Sequence, residues 1–249
     1  MDLKSYGDLA WTERIIVSPE EYEEEVIHYI KAINKHAGRK FKTMLHLGCG
    51  AGGHDFIFKR YFQVTGVDIS EDMLDIAQEV NPEVFYVRGD MREVRLNQKF
   101  DLVVIPDSIS YMSTLKDLKK AIHTAAHHLC PDGILLVVTL TREEYQNNNF
   151  VYTGAEGDIH ITIFENNHVI SENQYEATLV YLIRQKKELQ IHHEVHTLSL
   201  FSYDTWRELF SEVQLNILET LSMVDLYDRF VLEEREYRLK TYICTFRQT

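Results

Sequence analysis

The chain predicts an α/β fold, a parallel sheet with helices on both faces that carries an inserted antiparallel sheet. Three observations predict it. From about residue 41 to 141, short apolar runs alternate with amphipathic helical stretches, the rhythm of βαβ units. The fourth run, KFDLVVIPDS, is apolar almost throughout, as a strand buried on both faces must be. After residue 141 the alternation stops, and DIHITIFENNHVI, YEATLVYLIR and LQIHHEVHTLSLF read as three β segments joined by polar turns.

The elements follow in order. PEEYEEEVIHYIKAINKHA starts a helix at Pro19 with Ser18 as N-cap, repeats apolar residues at helical spacing from Tyr22 to Ile33, and stops near Gly38. Acids at its start and lysines near its end suit the helix dipole. MLHLG is a strand, GAGGHDFIFKRYF a turn and helix, and QVTGVDIS a second strand. SEDMLDIAQEV is a helix capped by Ser70, and EVFYVRGD is a third strand. TLKDLKKAIHTAAHHL, PDG and ILLVVTL give a helix, a turn and a fifth strand. SYDTWRELFSEV is a helix, and LNILETLSMV and REYRLKTYICTF close the chain as strands. The expected division is a cap and helix over 1–40, a core over 41–141, a β insertion over 142–200 and closing elements over 201–249, all one domain.

Composition narrows the function. Of 249 residues 45% are hydrophobic and 26% charged, so the core needs no staples. Cys49, Cys130 and Cys244 are scattered and odd in number, which fits a reducing cytosol. A net charge of −13 repels phosphate backbones and anionic lipid, so neither nucleic acid nor a membrane surface is expected as partner. No leader-like apolar segment and no membrane-length run is visible, and a cytoplasmic location is expected. Oligomeric state is not written in the sequence.

MLHLGCGAGGH carries the chemistry. Gly48, Gly50 and Gly52 fit G-x-G-x-G, while Gly48, Gly50 and Gly53 fit G-x-G-x-x-G. Such a turn lets a ligand approach the backbone where a helix offers free N–H groups. Asp68, about 20 residues on, ends the second strand where a carboxylate can accept ribose hydroxyls. These features serve a nicotinamide dinucleotide and a methyl-donor nucleoside alike. Asp90, in VRGDM, can accept from an adenine amine, with Met91 packed on the ring.

The run GVDISEDMLDIAQE, then YVRGDM, FDLVV and LCPDGILLV, resembles the class I S-adenosylmethionine-dependent methyltransferases in order and spacing over residues 44 to 140. The resemblance implies a seven-stranded Rossmann-like sheet with the last strand antiparallel, an N-terminal helical cap and S-adenosylmethionine as cofactor. It also implies methyl transfer to N or O of a small-molecule acceptor. The implied donor residues are His46, Gly48, Gly50, Gly52, Asp68, Ile69, Asp90, Met91, Pro106, Asp107 and Ser108, with Ile109 beside them. No metal is implied. Three positions depart from the family: His46 stands where an acid is usual, PDG replaces PGG, and FSEVQLNI lacks a Gly-Phe pair.

The acceptor side is expected in the N-terminal segment and residues 150 to 200. SYGDLAW, with Tyr6 and Trp11, is similar to the Tyr-containing cap of small-molecule, including amino-sugar, N-methyltransferases. In HHEVH a strand puts His192, Glu194 and His196 on one face and His193 on the other. This is a residue short of the helical zinc motif H-E-x-x-H and reads first as a polar face. Tyr111 follows the fourth strand within reach of an acceptor. Tyr6, Tyr111 and His196 are therefore the catalytic candidates. His123 and His127 read as surface residues and Cys49 as a small residue in a tight turn. An NAD-dependent oxidoreductase and a non-catalytic nucleoside-binding protein are the alternatives.

Overall fold

The structure is a computed structural model that describes residues 3–224, 226–232 and 237–247. The strands are β1 (Thr43–Leu47), β2 (Gln63–Asp68), β3 (Phe85–Arg88), β4 (Phe100–Ile105), β5 (Leu129–Thr139), β6 (Asn148–Glu156), β7 (Ile159–Ser171), β8 (Gln174–Gln185), β9 (Glu188–Ser199), β10 (Leu215–Met223) and β11 (Leu239–Phe246). The helices are α1 (Glu13–Ile16), α2 (Glu23–His36), α3 (Gly53–Phe58), α4 (Glu71–Val80), α5 (Leu115–His128) and α6 (Tyr203–Glu212).

Seven strands form one sheet in the order β10-β11-β5-β4-β1-β2-β3. β1 to β5 pair in parallel, while β11 runs antiparallel to both β5 and β10. The expected sheet with an antiparallel last strand is therefore present. From β1 the chain winds to β2 on one side and later to β4 on the other, so a crevice opens beyond the ends of these strands.

Alternation in the central strands divides the core. Phe100, Val103 and Ile105 of β4 join Leu45 and Leu47 on the face covered by α5 and α6, where Trp206 is fully buried. Leu102 and Val104 join Met44 on the opposite face, packed on Val26, Tyr29, Ile30 and Ile33 of α2. Helix starts are fixed locally. Ser70 Oγ accepts the Met73 N–H at 3.1 Å, and Ser202 Oγ accepts the Thr205 N–H at 3.2 Å.

The insertion is a four-stranded antiparallel sheet in the order β6-β7-β8-β9, not three β segments. The extra strand, NNFVYTGAE, is polar and lacks clean alternation, because only β7 pairs with it along its length and the short helix α1 backs it. Pro19–Tyr22 is a 3-10 turn that runs into α2, and the Ser18 N–H donates to Glu21 Oε1 at 3.1 Å. The N-terminal segment is two 3-10 turns, Lys4–Tyr6 and Ala10–Thr12, followed by the single turn of α1. No helix among the described residues is long and apolar enough to cross a membrane.

Candidate active site

A cavity of about 1300 Å³ opens beyond the carboxyl ends of β1, β2 and β4. The N-terminal segment and the inner face of the inserted sheet form its other walls.

Its floor is the glycine turn. Gly48 and Gly50 have φ of +75° and +52°. A Cβ on Gly48 would lie 2.3 Å from Ser108 Oγ and 2.8 Å from Met91 Cε, so only glycine fits. A Cβ on Gly50 would meet nothing, because that side faces open space. Asp68 Oδ2 accepts the Gly50 N–H at 2.8 Å and Oδ1 accepts the Ser70 N–H at 2.9 Å. Each oxygen keeps a lone pair for a hydroxyl. Ile69, Met91, Pro106, Asp107 and Ser108 also line the cavity.

Some expected donor residues lie elsewhere or are already engaged. His46 is not on the cavity wall. It is buried, with Nδ1 2.7 Å from Asp55 Oδ1, and Asp55 Oδ2 accepts the Tyr86 hydroxyl at 3.1 Å. The chain thus places a carboxylate on α3, partnered to the histidine at the strand position where the family pattern has the acid itself. Gly52 is also off the wall. Its φ of +77° starts α3, and a Cβ there would lie 2.7 Å from both Asn81 Nδ2 and Tyr86 Oη. Ile109 is core, not pocket. Asp90 lines the cavity, but Arg92 Nε donates to its Oδ1 at 3.0 Å and to its Oδ2 at 2.9 Å, and Arg92 Nη2 donates to Oδ2 at 2.5 Å. Burial works against its charge, and the Arg92 bonds overcome this and hold the carboxyl low.

Tyr6, Tyr111 and His196 come from three distant parts of the chain and meet in one line. The Tyr6 hydroxyl donates to Tyr111 Oη at 2.8 Å, and Tyr111 Oη lies 2.8 Å from His196 Nδ1. His196 Nε2 lies 3.2 Å from Glu194 Oε1. Glu194 also accepts the Lys4 N–H at 2.7 Å and the Ser5 N–H at 3.1 Å, which fastens the N-terminal segment to β9. Burial opposes ionisation of Glu194, but its bonds to His196 and Ser5 keep it low. Burial raises the Tyr6 and Tyr111 hydroxyls, so both keep their protons at neutral pH. His192 shares the Glu194 face of β9 near its outer end, and His193 faces outward. His123 and His127 are exposed on α5. Cys49 is buried in the turn, and burial pushes its thiol well up.

Sequence reasoning passed over Glu25, His54 and Glu165, all on the cavity wall. His54 Nε2 lies 3.4 Å from Glu25 Oε2. Burial disfavours the charged ring, yet the Glu25 carboxylate raises its pKa. The signal at hand was His54 directly after the last glycine, on the first turn of α3. Glu165 shares the inward face of β7 with Ile161, Ile163 and Asn167, so strand alternation was the signal for it.

The cavity also discriminates between ligands of the glycine turn. Its four arginines are all ion-paired: Arg14 with Glu156 at 3.7 Å, Arg88 with Glu71 at 2.7 Å, Arg92 with Asp90 at 2.5 Å, and Arg229 with Glu21. No lysine lines it among the described residues. Among the described residues the walls thus offer a pyrophosphate no unpaired arginine or lysine, which a sulfonium nucleoside does not need.

Comparison with known proteins agrees. Residues 44–133 match the family described as a methyltransferase domain. The chain is 27% identical over 203 residues to the dTDP-3-amino-3,6-dideoxy-alpha-D-glucopyranose N,N-dimethyltransferase of Streptomyces fradiae, covering 79% of this chain and 78% of that protein. It is 36% identical over 99 residues to the protein YqeM of Bacillus subtilis, covering 37% and 40%. In fold it superposes on DesVI of Streptomyces venezuelae with a TM-score of 0.78 at 23% identity, covering 97% and 98% of the two chains. It superposes on S-adenosylmethionine-bound CalS10, an amino pentose methyltransferase from Micromonospora echinaspora, with a TM-score of 0.74 at 19% identity, covering 98% of each. Residues 44–133 thus carry a methyltransferase domain, and the chain is a methyltransferase with S-adenosylmethionine as its methyl donor.

Proposed function

We propose that the protein methylates an amine nitrogen of a small, hydroxyl-rich acceptor of the amino-sugar class. The observation that carries this reading is the line Tyr6–Tyr111–His196 on the cavity wall, with Glu194 behind His196. Relatives named as amino-sugar N,N-dimethyltransferases support it.

When bound, the donor supplies an electrophilic methyl group on a sulfonium. An N–C bond forms as the C–S bond breaks, and the nitrogen must shed a proton. The chain gives that proton somewhere to go. Tyr6 can take it while passing its own to Tyr111, and Tyr111 passes its own to His196 Nδ1. His196 then carries the charge as an imidazolium, stabilised by the Glu194 carboxylate. The two tyrosines act as conduits, since burial holds both hydroxyls far above neutrality. Positioning and exclusion of water supply the rest of the rate.

For the donor, we assign Gly48 and Gly50 to close backbone approach, Asp68 to the ribose hydroxyls, and Met91 with Ile69 to the adenine faces. Pro106, Asp107 and Ser108 border the methyl group. Asp90 would contact adenine only from within its Arg92 pair. His46 and Gly52 support the turn from behind, through Asp55 and Asn81.

The test is turnover of S-adenosylmethionine with a panel of amino sugars, followed by mass spectrometry, in wild type and in Tyr111→Phe and His196→Asn. Each variant should lower kcat about 100-fold with little change in donor KM. The double variant should be no worse than the worse single, because both interrupt one path. Unchanged kcat in both folded variants would overturn the assignment.

A further inference from the structure

The acceptor end of the cavity is negative and aromatic. Asp107 follows β4 with φ +56°, a backbone position few side chains adopt. It lines the cavity, and among the described residues its carboxylate takes no hydrogen bond and pairs with no cation. Glu165 lines the same cavity from β7 and is bound only to neutral groups, the Asn167 amide at 2.7 Å and the Tyr152 hydroxyl. Glu25 is different, since His54 stands beside it. Tyr175, Tyr227 and Tyr237 also line the cavity. Burial raises their hydroxyls, and the Asp107 charge raises each of them further.

Resting on the reading of the protein as an amine methyltransferase, we propose that its acceptor is a small organic cation without a phosphate group. Asp107 and Glu165 supply the counter-charge, and the tyrosine faces supply the cation–π surface. The four paired arginines leave no free cation among the described residues to receive a diphosphate, which would instead face Asp107 and Glu165. The chain thereby departs from relatives whose names specify dTDP-linked sugars. Its acceptor carries the amine but not the nucleotide handle.

Calorimetric titration of the full chain with tetramethylammonium chloride and with dTDP tests this, with and without S-adenosylhomocysteine. The expected result is saturable binding of the cation and none of dTDP. Glu165→Gln should weaken the cation at least about tenfold while leaving S-adenosylhomocysteine affinity at the wild-type value, and Asp107→Asn should weaken the cation by a similar factor. Binding of dTDP, absence of cation binding, or cation binding unchanged in both variants would overturn the proposal. Cation binding in a protein that methylates no amine would count against the transfer reading alone.

Discussion

At the residue scale, Asp107 concentrates the tension between stability and function. Burial, then the charges of Glu25 and Glu165, push its carboxyl up from 3.8 to about 7, while His54 pulls it down. A raised carboxyl keeps its proton in the folded protein where the unfolded chain has lost it. The resulting stability is complete below about pH 4 and is lost as pH rises through about 7. Asp107→Asn removes the charge with a residue that also tolerates positive φ. Solvent in the cavity screens much of the cost of the charge, which leaves a gain of about 1 kcal/mol above pH 7, read as a Tm rise of about 2–4 °C. At pH 4 wild type and variant should melt together, and an equal gain at both pH values would show that the charge is not the cause. Asp68 makes a different case, because it holds Gly50 and Ser70 as well as facing the cavity. Asp68→Ala should lower S-adenosylmethionine affinity at least tenfold, about 1.4 kcal/mol, while circular dichroism stays native. Unchanged affinity in the folded variant would refute the ribose role.

At the element scale, the N-terminal segment closes one side of the site and packs Leu9, Trp11, Ile15 and Ile16 on the inserted sheet. Glu194 takes the Lys4 and Ser5 amides, Ser70 Oγ donates to the Tyr6 carbonyl at 2.5 Å, and α1 lies against β6. The approach at β6 is close enough to require glycine, since a Cβ on Gly154 would lie 2.1 Å from the Ile15 carbonyl oxygen. Gly154→Ala should lift the segment at a cost of about 1–3 kcal/mol, making trypsin cleavage at Arg14 faster and lowering kcat for the acceptor. Cleavage at the wild-type rate would mean that the segment is held without this contact. The same contact explains why β6 was illegible. Its sequence answers to a backbone packed against it and to a single pairing neighbour, so the period-2 signal is missing. The strands from β1 to β5 were legible because helices cover both faces and force apolar runs. That Gly48, Asp68 and Asp107 line the cavity was legible because a strand end fixes them locally, and that Tyr6, Tyr111 and His196 line it because each stood in a segment expected to face an acceptor. The His46–Asp55, His54–Glu25 and Arg92–Asp90 pairs were not read, because which partner a buried charge takes is decided by tertiary approach.

At the scale of the whole molecule, the inserted sheet and the parallel sheet share one core. Tyr175, Ala177 and Leu198 of the insertion pack in the same cluster as Met44, Leu102 and Val104 of the central strands. The insertion also packs Ile161, Ile163, Tyr181 and Ile183 on Leu9 of the N-terminal segment, but the shared cluster ties it to the central strands, so 142–200 and 41–141 should unfold together in a single calorimetric transition. Two transitions would divide the chain into independent units. The same experiment reads the donor. The cavity lies between the two sheets and the N-terminal segment, so a ligand bound there stabilises all of them at once. S-adenosylhomocysteine at about 100 times its Kd should add about 2.7 kcal/mol. For a chain of this size that raises the transition by about 5–11 °C without splitting it. NAD should leave it in place, because its pyrophosphate finds carboxylates and already paired arginines on the walls. A shift with NAD and none with S-adenosylhomocysteine would mean that the glycine turn answers to its G-x-G-x-x-G spacing. The fit of the cavity to a phosphate-free, cationic donor would then be wrong at its foundation.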